Sequence, residues 1–149
     1  MRVLIDSNVF VAALIESHEN HVPSRKLVTE LIGGQNEACM SAHGLAETYS
    51  QLTSHPRYRI SPEIAIATMT YASERMEIVS LDSSDYSSCL KRAQNLNVSG
   101  GGIYDLLHVE AAAKAGVSHI ATYNLKHFER LCAQEVFEPL IPEDILERK

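Results

Sequence analysis

The sequence predicts an α/β protein, a three-layer α/β/α sandwich around a central parallel sheet of four to five strands. Three observations lead there. Short continuous apolar runs, such as Val3-Leu4-Ile5 and His119-Ile120-Ala121-Thr122, have the length and composition of strands buried on both faces. Longer stretches with helical spacing and capping residues lie between them. The two kinds of segment alternate along the chain, a pattern that parallel strands joined by crossover helices produce.

The first strand is Val3-Leu4-Ile5, and Val9 to Ile15 continues apolar with helical spacing. Ser24 is placed to cap a helix through Leu27, Val28, Leu31 and Ile32, which Gly33-Gly34 ends. Glu37 to Met40 is a weaker second strand. Ser41 caps a helix with the apolar stripe Leu45, Tyr49 and Leu52. His55-Pro56 closes it, because the residue before a proline is pushed out of helical conformation. Ser61-Pro62-Glu63-Ile64 is a strong helix start with proline in the first turn. Glu77 to Leu81 is the third strand. Asp82 or Ser83 caps a helix carrying Tyr86, Leu90 and Ala93. Ser99 and the glycines Gly100, Gly101 and Gly102 make a flexible loop before a helix from Ile103 to Ala115, stopped by Gly116. His119 to Thr122 is the fourth strand, Leu125 to Leu131 a short helix, and Val136-Phe137 the fifth strand. Pro142 to Leu146 forms a last helical turn or two.

A chain of 149 residues without repeats or linkers is expected to form one domain, residues 1–149, large enough to bury a core. No apolar run approaches the roughly 20 residues of a membrane helix, so no membrane contact is expected. The chain opens on a strand with no signal-peptide pattern, which makes the cytoplasm the expected location. Cys39, Cys89 and Cys132 are widely spaced and form no C-x-x-C pair, which argues for reduced, buried thiols and against a zinc knot. The net charge of -6 argues against loose electrostatic binding of nucleic acid. It leaves room for a nucleic-acid enzyme, since an acidic metal pocket is itself negative and a local basic rim can hold phosphates. Arg25-Lys26, Arg57-Tyr58-Arg59, Lys91-Arg92 and Lys126 with Arg130 are candidate rims, although a solvated face is the commoner explanation of each.

Three distant carboxylates carry the chemical reading. Sites in parallel sheets gather beyond the carboxyl ends of the strands. Asp6 ends strand one, Ser41 and Glu47 follow strand two, and Asn124 lies just past strand four. Asp105 sits in the first turn of the helix after the glycines. Each acid has an ordinary explanation: Asp6 as a helix cap, Glu47 as an exposed glutamate, Asp105 as a partner of the helix dipole. Gathered in one place they repel, and a divalent cation is the usual remedy. That combination points to metal-assisted hydrolysis of a phosphate ester. His43 shares a helix face with Glu47, and His108 lies one turn beyond Asp105. The D-x-x-H spacing is a weak metal signal. The glycines lack the Lys-Ser/Thr of a phosphate-binding P-loop.

Order and setting are more specific than any single residue. Val3-Leu4-Ile5-Asp6-Ser7-Asn8-Val9-Phe10, Leu45-Ala46-Glu47-Thr48-Tyr49, Ile103-Tyr104-Asp105-Leu106-Leu107 and Ile120-Ala121-Thr122-Tyr123-Asn124-Leu125-Lys126-His127-Phe128 together resemble the PIN-domain ribonucleases, and within them the VapC-like toxins of toxin–antitoxin pairs. The resemblance spans residues 2 to about 130. It implies a catalytic set of Asp6, Glu47, Asp105 and Asn124. The first three hold Mg²⁺ or Mn²⁺, and Ser7, Asn8 and Thr122 position substrate or water. It further implies cleavage of single-stranded or looped RNA to a 5′-phosphate and a 3′-hydroxyl, with Tyr58 and Tyr104 as stacking candidates. A homodimer and an inhibitory antitoxin are the implied partners. The apolar, weakly patterned stretch from Ile60 to Tyr71 is the expected part of their interface. The chain departs from the pattern where many members carry a further aspartate: Asn124 and His127 stand there instead. That departure keeps open a non-catalytic scaffold binding RNA or protein. A housekeeping RNA-processing nuclease is a further alternative. A haloacid-dehalogenase-like phosphatase needs a second Asp two residues after the first, and Asn8 counts against it.

Overall fold

The computed structural model describes residues 1–35 and 37–149. Its strands are β1 (Val3–Ile5), β2 (Ala38–Ser41), β3 (Glu77–Val79), β4 (His119–Ala121) and β5 (Glu138–Leu140). They form one sheet in the order β3-β2-β1-β4-β5, with every neighbouring pair parallel. The register sets Leu4 opposite Cys39 on one side and Ile120 on the other. The helices are α1 (Ser7–Leu14), α2 (His21–Gly33), α3 (Ala42–Ser54), α4 (Pro62–Ser73), α5 (Ser83–Asn95), α6 (Gly102–Ala115), α7 (Leu125–Leu131) and α8 (Pro142–Glu147).

The layers follow from the period of two along a strand. Val3 and Ile5 point into a core shared with α1, α2, α3, α4 and α8, where Phe10, Leu27, Leu31, Leu52 and Ile145 are fully buried. Leu4 points the other way, into a core shared with α5, α6 and α7 that holds Leu106, Ile120 and Phe128. Burial on both faces is why β1 shows no polar alternation. Each fully buried Leu or Phe contributes about 1.5–3 kcal/mol from apolar area alone.

Local chemistry sets the starts of α3, α4 and α5. The Ser41 hydroxyl accepts the Gly44 N–H at 2.9 Å, and that of Ser61 accepts the Ile64 N–H at 3.3 Å. Asp82 and Asp85 make a reciprocal capping box at α5. Gly116 ends α6 with φ 62°, a left-handed conformation that glycine adopts without steric cost. Among the described residues no helix is long and apolar enough to cross a membrane.

The structure differs from the sequence expectation in three places. The fifth strand is Glu138–Leu140, not Val136-Phe137; Val136 is fully exposed and Phe137 packs into the α5–α7 core. Pro139 hides this strand in the sequence, and the sheet edge tolerates it because one side of an edge strand needs no N–H donors. The second helix begins at His21, so Ser24 lies inside α2 rather than capping it. Ser24 is buried with its Oγ 2.8 Å from Tyr123 Oη. On α5 the buried residues are Cys89 and Ala93, whereas Tyr86 and Leu90 are exposed. The cysteines are free and buried, and burial pushes their thiols up to about 11 for Cys39 and Cys89 and about 12 for Cys132.

Candidate active site

The parallel pairing of β1 with β4 brings Asp6 and Thr122 together at the strands' carboxyl ends. Asp6 stands at the N-cap position of α1, yet its side chain makes no capping bond. Its Oδ2 instead accepts the Thr122 hydroxyl at 2.7 Å, and Ser7 Oγ lies 3.3 Å from Oδ1. Thr122 Oγ1 in turn accepts from Asn8 Nδ2 at 3.3 Å and from the Asn124 N–H at 3.0 Å. Asn8 Oδ1 accepts the Tyr123 N–H at 3.2 Å. Ser7, Asn8 and Thr122 thus lock the loop after β4 against the start of α1, with Asp6 buried beneath. Asn124 is exposed and joins this network through its backbone N–H.

Glu47 approaches from α3. Its Oε2 lies 2.5 Å from His108 Nε2, and its Oε1 lies 3.8 Å from His43 Nε2. His108, on α6, has no exposed surface; its Nδ1 is 2.8 Å from Ser41 Oγ and its Nε2 3.8 Å from Asp6 Oδ1. Asp105, one turn before it, is half-buried, with His127 Nε2 3.2 Å from its Oδ2. His43 stacks on Tyr104 with ring centroids 4.8 Å apart and an 11° interplanar angle. Gln51 Nε2 donates to Ser7 Oγ at 3.3 Å.

The electrostatics show three acids and His108 acting on one another. Burial raises the Asp6 carboxyl above its ordinary range against the opposing pull of His108 and the Thr122 hydroxyl, with Glu47 pushing it further up. Burial also raises Asp105, helped by the Asp6 charge. Burial pushes Glu47 upward too, but the His108 hydrogen bond and charge outweigh it and leave Glu47 lowered. Burial pushes His108 down, and the Glu47 hydrogen bond with the charges of Asp6, Glu47 and Asp105 more than reverses this. Among the described residues no three His, Cys, Asp or Glu side chains are arranged to hold a metal ion as they stand. The donor chemistry nevertheless suits a hard divalent cation: carboxylate oxygens of which two are raised by burial and, to a lesser extent, by their acidic neighbours.

Asp6, Ser7, Asn8 and Thr122 are in direct contact, and Glu47 and Asp105 flank them within electrostatic reach. Sequence reasoning missed Gln51, although it lies one helical turn beyond Glu47. It read Ser41 as a cap at the carboxyl end of strand two and His108 as a weak metal signal, and did not join the two. Two basic rims are otherwise engaged: Arg92 pairs with Glu135 at 2.5 Å, and Arg130 donates to the Leu96 carbonyl. Tyr58 packs against His55 and His18, with ring centroids 4.6 and 5.2 Å away.

The family model of the PIN domain matches residues 3–134. The chain is 33% identical over 112 residues to Ribonuclease VapC27 of Mycobacterium tuberculosis, covering 74% of this chain and 76% of that protein. It is 29% identical over 127 residues to Ribonuclease VapC40 of the same species, covering 83% and 87%. Among solved structures it is similar to VapC20 of Mycobacterium tuberculosis, described as a Sarcin-Ricin loop cleaving toxin, with a TM-score of 0.67 and 13% identity over 84% of this chain and 92% of that one. It is also similar to the DNA-bound VapBC of Salmonella typhimurium, with a TM-score of 0.69 and 16% identity over 95% and 98%. At these identities the two structures share the fold.

Proposed function

This chain belongs to the PIN-domain family, and from that premise we propose that it is a metal-dependent endoribonuclease, the toxin of a toxin–antitoxin pair, folded as one domain over residues 1–149 and acting in the cytoplasm. One observation carries the reading. Asp6 is buried at the end of β1, forgoes its capping bond, and shares its field with Glu47 and Asp105. A carboxylate of purely structural use at that position would cap α1.

In this reading Asp6, Glu47 and Asp105 hold Mg²⁺ or Mn²⁺. When bound, the ion lowers the pKa of water and offsets charge on the scissile phosphate. Thr122 fixes the Asp6 rotamer through its 2.7 Å hydrogen bond, and Asn8 and Ser7 fix Thr122 and Asp6 in turn. Asn124, exposed beside them, is placed to meet the phosphate or a water. The substrate is RNA, cut to a 5′-phosphate and a 3′-hydroxyl.

Tyr104 fits a flanking base of a single-stranded substrate. One face of its ring is backed by His43, and the residue is 48% exposed. A base stacked on such a ring contributes about 1–3 kcal/mol. Tyr104→Ala is expected to weaken binding of a single-stranded RNA about tenfold, while Tyr104→Phe leaves it unchanged, as measured by fluorescence anisotropy. Equal affinities for the two variants would remove Tyr104 from the substrate site.

The partners of the proposal are an antitoxin and a second copy of the chain. The exposed Ile64, Ile66 and Tyr71 of α4 are the surface we assign to them; Tyr71 also borders a groove of about 350 Å³ with Leu14, Val28 and Ile32. A second reading draws on Asn124 and His127, which bring no carboxylate to the fourth motif. It makes the chain a non-catalytic scaffold for RNA or protein. The deciding experiment incubates purified protein with a structured RNA pool in Mn²⁺ or Mg²⁺ and, separately, in EDTA. Cutting that EDTA abolishes supports the nuclease. No cutting of any RNA by folded protein supports the scaffold. Growth arrest on expression, relieved by a co-expressed neighbouring reading frame, separates a toxin from a housekeeping nuclease.

A further inference from the structure

A fully buried imidazole is tolerated when both ring nitrogens find partners. His108 finds them on two other elements, Ser41 at the end of β2 and Glu47 on α3. The proton positions follow from Glu47. Its ionised carboxylate can only accept, so Nε2 carries a ring proton and donates it to Oε2 at 2.5 Å. In the neutral ring Nδ1 then accepts the hydroxyl proton of Ser41, 2.8 Å away, whose oxygen also accepts the Gly44 N–H at 2.9 Å. In the doubly protonated ring Nε2 donates as well. Either way Oε2 of Glu47 is committed to His108. Its other oxygen, Oε1, lies 3.8 Å from His43 Nε2, beyond hydrogen-bond distance, and the Ser7 hydroxyl is the further polar group acting on this carboxylate.

The backbone is shaped around this ring. A Cβ on Gly44 would lie 3.2 Å from His108 Cε1 and 3.0 Å from Met40 Cγ, so any side chain there would press on the imidazole. Glycine inside a helix is otherwise unfavourable. Its presence in the first turn of α3 is explained by the close approach of Met40 and His108 together.

We propose that His108 is a positioning residue for metal uptake. The hydrogen-bonded chain Ser41–His108–Glu47 holds the Glu47 carboxylate in one orientation and leaves Oε1 for the divalent cation. The proposal rests on the metal-dependent reading above. Partners that orient a ligand in this way are worth about 10–100-fold in metal affinity. The competing explanation is a cross-link between α3 and α6 that acts on stability alone.

The test is Mn²⁺ titration calorimetry on the full chain, wild type against His108→Gln, His108→Asn and His108→Leu, with a thermal melt of each metal-free protein. A glutamine amide reaches the place of Nε2 and keeps a donor for Glu47. An asparagine amide reaches only the place of Nδ1, and leucine keeps volume without polarity. The expected result is Mn²⁺ affinity within about threefold of wild type for His108→Gln and about 10–100-fold weaker for the other two. Wild-type affinity in all three variants overturns the proposal. So does His108→Gln binding as weakly as His108→Leu with affinities that follow the melting temperatures. A wild-type protein that takes up no Mn²⁺ overturns the metal reading itself, and this proposal with it. Where the variants do not fold, nitrogen NMR of the wild-type ring during Mg²⁺ titration decides: a protonated His108 Nε2 whose resonance moves as the ion binds supports the proposal, and an unprotonated one, or one unmoved at saturation, overturns it.

Discussion

Asp6→Asn is expected to leave the protein folded and to remove RNA cleavage by roughly a thousandfold, the loss of about 4 kcal/mol of transition-state stabilisation. The amide oxygen of Asn can still accept the Thr122 hydroxyl, so the local network survives while the charge is lost. The same substitution is expected to raise the stability of the metal-free protein. Burial lifts the Asp6 carboxyl above its unfolded value, so the folded state binds more protons than the unfolded state between those two values. Stability contributed by this group is therefore full below the unfolded pKa of about 4 and is lost as pH rises through the raised folded value. Above that raised value the ionised Asp6 is a burden that Asn removes. A gain on the order of 1 kcal/mol corresponds to about 3 °C in Tm for a chain of this length. Saturating Mn²⁺ should then reverse the order, stabilising wild type by about 2–3 kcal/mol at a hundred times its Kd and the variant far less. Melts with and without Mn²⁺, beside a cleavage assay, check each part. Cleavage at the wild-type rate would remove Asp6 from the chemistry. A metal-free variant that melts below wild type would mean that the carboxylate is structural.

Phe128→Ala is expected to cost about 3–5 kcal/mol, the range for emptying a buried phenylalanine site. Phe128 is fully buried among Leu4, Leu106, Leu107, Ile120 and Leu131. It is the anchor of α7, a helix of 7 residues too short to persist without packing. The consequence reaches the site, because α7 follows Asn124 directly and carries the His127 ring that lies 3.2 Å from Asp105. The predicted fall in Tm is about 10 °C or more, set against the few degrees per kcal/mol typical of this size. Urea unfolding gives the free energy directly. Val136→Ala, at a fully exposed position, is the control and should stay within about 0.5 kcal/mol of wild type. A loss for Phe128→Ala as small as the control's would mean that α7 is not held by this packing.

The contrast between these two residues runs through the whole molecule. Features whose causes lie within a few residues were legible in the sequence. Val3-Leu4-Ile5 reads as a doubly buried strand because continuous apolarity is local, and Ser41, Ser61 and Asp82 start their helices through hydrogen bonds to N–H groups two or three residues on. Gly116 stops α6 because of its own backbone freedom. The alternation of such segments was enough for a parallel sheet with acids at its carboxyl ends. The resemblance of the motifs was enough for the family.

Whatever depends on a partner far along the chain was left to the tertiary structure. Pro139 is tolerable in β5 because that strand lies at the edge, a fact of strand order. The buried face of α5 is fixed by α6 packing on it, which leaves Tyr86 and Leu90 outside despite their apolar rings and chains. Whether Asp6 caps a helix or faces a site is decided by Thr122, 116 residues away, whose hydroxyl takes up the carboxylate. His108 looks in sequence like the second half of a weak metal motif. In the fold its ring is enclosed by Ser41 and Glu47, 67 and 61 residues distant, the contacts on which its proposed positioning role rests. Capping, periodicity and composition act over a turn or a strand and can be read directly. Side-chain direction, burial and charge coupling are properties of which elements meet, and the folded chain alone sets them.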